Sequence, residues 1–163
     1  MGAPRVLAIA SAGGHWIQLN RLRPAWDGCE TTYVTTDEGL RGAAMADAAA
    51  RGQPQPGFHA IPDANRDRTF SLILQLMAIL RIMLRGRPDV VISTGASPGY
   101  FALRLGRLLG AKTVWVDSAA NAEELSLSGR RAGPHARIWL TQWPHLAGRE
   151  GKDRGPSFEG SVI

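Results

Sequence analysis

Short apolar runs alternate along this chain with longer stretches in which apolar residues recur at helical spacing. Arg5–Ala10, Thr31–Thr36, Phe58–Ile61, Asp89–Thr94, Lys112–Asp117 and Arg137–Thr141 are short and rich in apolar or β-branched residues, and the first five have glycine, proline or an acidic residue at one end or both. They predict six strands. Trp16–Leu22, the alanine-rich Arg41–Arg51, Phe70–Arg85 and Gly99–Leu109 predict the helices between them, with Gly110 as a C-terminal cap. Arg51–Gly57 (RGQPQPG) is a loop by its prolines and glycines. Strands alternating with helices predict an α/β fold, a Rossmann-like parallel sheet with helices on both faces. In such sheets a ligand lies beyond the C-terminal strand ends. Three loops therefore matter: Ser11–His15, Thr94–Gly99, and the segment after Asp117.

The first loop reads Ser11-Ala12-Gly13-Gly14-His15-Trp16. Two glycines between a strand and a helix let a ligand approach the backbone, and the helix start offers free N–H groups to an anion. His15 stands at the mouth, where an imidazole can take a proton from a hydroxyl near neutral pH. A tight turn with His15 as a local hydrogen-bonding group is the competing reading. The second loop, Ser93 to Tyr100 (STGASPGY), offers Gly95 and Gly99 for an open turn and Thr94 and Ser97 as hydroxyls. Ser11, Gly13, Gly14, Thr94, Gly95, Ser97 and Gly99 are thus candidates to surround one phosphorylated ligand. Asp117 and Ser118, at the end of the fifth strand, are candidates to face the same crevice. A dinucleotide-binding oxidoreductase would place Asp37 where a ribose-binding acid belongs. Neither loop carries G-x-G-x-x-G, however, and no P-loop G-K-[ST] occurs.

The helix from Phe70 to Arg87 has a narrow stripe of Ser71, Gln75, Ala78, Arg81 and Arg85, and is otherwise Phe, Leu, Ile and Met. So wide an apolar arc exceeds what one sheet face covers. Either the helix lies in a membrane interface, with Phe70 and Leu74 in the lipid and Arg81, Arg85 and Arg87 at anionic head groups, or a neighbour covers it. Arg81 interrupts a run already too short to span a bilayer.

The length of 163 residues suits one domain, and 44% hydrophobic with 20% charged residues suits a globular one. The net charge of +5 fits anionic partners without choosing among them, and no nucleic-acid signature accompanies it, so none is expected. Cys29 is the only cysteine and reads as a small buried residue; no internal disulfide is possible. The N-terminal apolar run reads as a first strand rather than a signal peptide. Glu123 and Glu124 read as capping or solvent-facing, and Trp139 and Trp143 as packing groups.

Three blocks in order resemble one family: SAGGH at Ser11–His15, PDVVISTGASPGY at Pro88–Tyr100, and VDSAANAEELSLSGR from Val116 with TQWPHLA downstream. It comprises the PssD-like exopolysaccharide glycosyltransferase subunits and the membrane-anchoring subunit of the N-glycan UDP-N-acetylglucosamine transferase. The resemblance extends to about Ala147. It implies an N-terminal-type GT-B half-domain over 1–147, similar to the N-terminal half of MurG. It implies acceptor binding here and a donor site on a second, PssE-like chain, at the inner face of the cytoplasmic membrane. His15 then becomes the candidate base and the glycine loops the cradle of a polyprenyl-diphosphate-linked acceptor. The donor is a UDP-sugar, with no cofactor; no D-x-D motif occurs, and no metal is expected. A non-catalytic recruiting subunit is the alternative. Two departures, no N-terminal membrane helix and Asp117, Ser118 and Asn121 in place of Glu-Ser followed by Arg, favour a bacterial polysaccharide pathway. Residues 148–163 are expected to be a mobile linker and a tail (FEGSVI) that docks on the partner.

Overall fold

The computed structural model describes residues 2–64, 69–148 and 155–162. Residues 149–154 of the expected linker and the last residue of the tail lie outside them. Six strands form one all-parallel sheet in the order β3-β2-β1-β4-β5-β6. They are β1 Arg5–Ile9, β2 Glu30–Thr35, β3 Gly57–Ala60, β4 Val90–Ser93, β5 Lys112–Val116 and β6 Ile138–Leu140. The helices are α1 Gly14–Arg21, α2 Arg41–Ala50, α3 Thr69–Gly86, α4 Ala96–Leu108 and α5 Leu127–Ala132.

The sheet is buried on both sides because its central strands are apolar at successive positions. Leu7, Ile9, Val91 and Trp115 join Ile79 and Met83 of α3 and Ala102 and Leu103 of α4 in one core. Val6, Ala8 and Ile92 point the other way, onto Trp16, Leu19, Trp26, Tyr33, Ala44 and Phe58. There Trp16 meets Tyr33 and Phe58 edge-on at 5.5 and 6.1 Å. Strand order reverses between β1 and β4, so their outgoing helices part to opposite faces and leave a crevice at the strand ends.

The polar stripe expected along α3 does not hold together. Gln75 is fully buried: its Nε2 donates to the Pro62 carbonyl at 2.9 Å, and its Oε1 accepts from Ser97 Oγ at 2.9 Å. Within three turns the 3.6-residue period carries Arg81 and Arg85 away from Gln75. They fall on the outward face with Phe70, Ile73, Leu74, Met77 and Leu84. Phe70, Leu74, Arg81 and Arg85 thus share one exposed face, and Arg87 is exposed just beyond the helix. Among the described residues no helix is long and apolar enough to cross a membrane.

The segment 155–162 lies back on its own chain. Ser157 pairs in parallel with Leu140, donating its N–H to Trp139 O at 2.8 Å and accepting from Thr141 N at 2.9 Å.

Candidate functional site

The crevice between β1 and β4 is built from the two glycine loops. Each leads into a helix that begins without a side-chain cap, α1 at Gly13 and α4 at Gly95. The first N–H groups of both helices therefore have no intrahelical partner, which makes each start a place for negative charge. Gly13 has φ 81° and, with Gly14, has nothing within 4 Å of where a Cβ would stand. Both are exposed, so this turn is the open wall of the crevice. Ala12 N–H donates to Thr36 Oγ1 at 3.0 Å, fastening the loop to the end of β2. Ser11 is half-buried beside it.

The two loops are clamped to each other. Thr94, fully buried, donates its hydroxyl to the His15 carbonyl at 2.6 Å, while its own carbonyl lies 3.0 Å from His15 Nδ1. A carbonyl can only accept, so Nδ1 carries the hydrogen and, in the neutral ring, Nε2 keeps its lone pair. His15 is half-buried, with the second nitrogen not engaged in this clamp. Gly95, at φ 149°, is small for this ring: a Cβ there would stand 2.2 Å from His15 Nδ1. Ala96 follows at φ 62°, a left-handed conformation costing a residue with a side chain about 1–2 kcal/mol. Such strain collects where a turn serves a site.

The remaining candidates divide. Ser97 reaches the crevice edge but spends its hydroxyl on Gln75. Gly99 is buried, with a Cβ position 1.9 Å from Ser93 Oγ and 3.1 Å from the Trp115 ring. It is small so that α4 can lie against β4 and β5, and it lines no ligand cradle. Asp117 ends β5 as expected but turns inward, 1% exposed. Its Oδ1 accepts from Ser126 Oγ at 2.6 Å and Trp115 Nε1 at 3.3 Å, and its Oδ2 from Ser126 N at 2.9 Å. Gly129 packs so closely that a Cβ would meet Oδ1 at 2.6 Å. Asp117 therefore organises the start of α5 rather than facing the crevice. Ser118 is likewise buried, accepting from Ala120 N at 3.2 Å. Asp37 caps the turn after β2 through Gly39 N at 2.8 Å. Glu124 is exposed and pairs with Arg130 at 3.1 Å. Among the described residues no group of three or more His, Cys, Asp or Glu stands together.

Sequence reading did not anticipate Gln75 under the second loop, nor the anchors of the loop after β5. Trp143 Nε1 donates to Ala119 O at 3.0 Å, His145 Nε2 to Ala122 O at 2.6 Å, and Gln142 Nε2 to Asp117 O at 3.2 Å. The TQWPH block is a set of pins for the VDSAANAEE block, which is a physical reason for the two to occur together. The pocket lined by Arg5, Glu30, Thr32 and His59 lies at the opposite, N-terminal ends of β1 and β2, away from this chemistry.

No protein-family model matches the sequence. Among solved structures, MurG of Acinetobacter baumannii superposes with a TM-score of 0.70 at 14% identity, over 95% of this chain and 45% of that one. UDP-N-acetylglucosamine 2-epimerase from Rickettsia bellii gives 0.60 at 12% identity, over 88% and 40%. At such identities the likeness establishes the fold, one half of a GT-B architecture, and the chain spans less than half the length of either protein. In sequence, the UDP-N-acetylglucosamine transferase subunit ALG14 of Mus musculus is 28% identical over 169 residues, covering 87% of this chain and 76% of that one. Its counterpart in Eremothecium gossypii is 40% identical over 172 residues, covering 91% of this chain and 77% of that one. With two glycine-loop helix starts meeting at the switch point of a GT-B half-domain, the chain belongs to the family of the UDP-N-acetylglucosamine transferase subunit ALG14.

Proposed function

We propose that this chain is the acceptor-side subunit that recruits and activates a second, donor-binding glycosyltransferase chain at a membrane. The complex transfers N-acetylglucosamine from its UDP ester to a polyprenyl-diphosphate-linked saccharide. The observation that carries this reading is the fold, one GT-B half-domain matching 45% of MurG, in a family whose members are named as subunits. The acceptor hydroxyl oxygen bonds to the anomeric carbon as the bond to UDP breaks, and the hydroxyl proton passes to a base. The acceptor diphosphate rests against the N–H groups at Gly13–Gly14 and at Ala96, where α4 starts; the Gly95 N–H is already taken by Ser93 Oγ at 3.2 Å. The sequence departure at Asp117, Ser118 and Asn121 motivates a bacterial exopolysaccharide or oligosaccharide setting, which acceptor screening in lipid extracts tests. No metal or cofactor enters this scheme.

A second reading makes His15 the base, and one observation favours it: Nδ1 is committed to the Thr94 carbonyl, so neutral His15 turns a basic Nε2 outward. His15→Ala in the reconstituted two-chain complex separates the two. Thr94 holds the backbone carbonyl of residue 15, so the loop clamp survives the substitution. The recruiting reading expects turnover within a few-fold of wild type with the complex intact. A fall of roughly 10²–10⁴-fold with assembly intact would give the proton transfer to His15.

The outward face of α3 supplies the membrane contact in this proposal: Phe70, Ile73, Leu74, Met77 and Leu84 are exposed, flanked by Arg81, Arg85 and Arg87. The chain should sediment with vesicles containing anionic lipid. Each arginine near such a surface contributes about 1 kcal/mol, so changing all three to Glu weakens binding by roughly 100-fold or more. Because all three are exposed, the variant should melt with wild type; equal vesicle binding by a folded variant would leave this face to a protein neighbour.

A further inference from the structure

Three stretches distant in sequence meet at the side chain of Gln142, which is 2% exposed. Its Nε2 donates to the Asp117 carbonyl at 3.2 Å, where the chain leaves β5 for the loop that leads to α5. Its Oε1 accepts from Val162 N at 2.8 Å and, more weakly, from Ser161 Oγ at 3.5 Å. The Val162 carbonyl in turn accepts from the Arg21 guanidinium at 2.9 Å, at the far end of the helix that carries His15. Trp143 and His145 also pin the loop, but among the bonds described they face it alone. Gln142 has one hand on the loop and one on the C-terminal segment.

A buried amide with both ends engaged has one favourable orientation. Removing the Val162 donor leaves the desolvated carbonyl with only the long bond from Ser161 Oγ, which is unfavourable. The amide relieves that cost by turning, and in turning it gives up Asp117 O. We propose that Gln142 is a positioning residue that makes the loop from Asp117 to Ser126 answer to the C-terminal segment 157–162. With the segment seated, the loop is fixed; with the segment withdrawn, the loop loosens. This goes beyond the acceptor-side reading and rests on it only for its consequence: a partner that takes hold of this segment acts on the loop between β5 and α5 from outside it.

Hydrogen–deuterium exchange on the full chain tests the relay without a partner or an activity. The reporters are the amides of Ala120, Asn121 and Ser126, which are bonded within the loop to Ser118 Oγ, Ser118 O and Asp117 Oδ2. Val162→Pro removes one donor from an outlying segment, whereas Val162→Ala keeps it. The expected result is about tenfold or faster exchange at these amides in Val162→Pro, wild-type exchange in Val162→Ala, and no change in β1 and β4. Gln142→Ala should reproduce the effect, and the double variant should add nothing further. Unchanged loop exchange in Val162→Pro overturns the relay, as do single effects that multiply in the double variant. The transferase reading can fail while this result stands, and the reverse, because no catalytic readout is involved.

Discussion

On its own, the purified 163-residue chain should release no UDP from UDP-N-acetylglucosamine above background when given a polyprenyl-diphosphate-linked acceptor. Adding the donor-binding chain should raise the rate by at least about 10³-fold. The magnitude follows from what a GT-B crevice supplies. Holding two reactants in attack geometry is worth effective molarities of roughly 10⁵–10⁸ M, and a single half-domain holds only one of them. Here the helix starts at Gly13 and Gly95 line one wall of a crevice. The nearest ionisable side chain in that wall, His15, is clamped to Thr94. Radiolabelled sugar transfer to lipid extract is the direct measurement. Robust transfer by the single chain would overturn the two-chain proposal and return attention to a donor site on this half-domain.

The fold was legible because the strands are short apolar or β-branched runs, most with glycine, proline or acid near their ends. The observed bounds of all six strands fall within one residue of the expected ones at each end. The start of α4 was less legible: Gly99 was expected and Ala96 is found. Pro98 looks like a barrier to helix, yet proline is tolerated in a first turn, where its missing N–H is not needed. The positive φ values of Gly95 and Ala96 that launch the helix leave no signal in composition. The first glycine loop stands open at Gly13–Gly14. Gly95 is small for the His15 ring and Gly99 for the Ser93 hydroxyl. Spacing locates a loop at a strand end; it does not say which side of a glycine is occupied. Gln142 was invisible for another reason. It bonds across 25 residues to Asp117 and across 20 to Val162, and neither separation has a local periodicity to betray it.

Asp117 offers the sharpest test of that distinction between place and role. Replacing it with Ala should lower stability by at least about 3 kcal/mol, since hydrogen bonds to a charged group are each worth roughly 1.5–3 kcal/mol and buried donors are left stranded. For a chain of this size that corresponds to a fall in melting temperature of about 6–12 °C. The stranded groups are the Ser126 N–H and hydroxyl and the Trp115 indole N–H, so the damage begins where α5 starts and reaches the core at Trp115. Asp117→Asn keeps the volume and one acceptor oxygen while turning an amide toward existing donors, and should lie between Ala and wild type. A residue that served the crevice directly would behave in the opposite way. Its removal would spare stability, or raise it by removing a buried acid, while acceptor binding by the two-chain complex fell. Calorimetry on the single chain and acceptor titration of the complex therefore give a crossed pair of readings. Melting of Asp117→Ala within a degree of wild type, with acceptor affinity lost, would place this carboxylate in the site and refute its role as the organiser of the turn into α5.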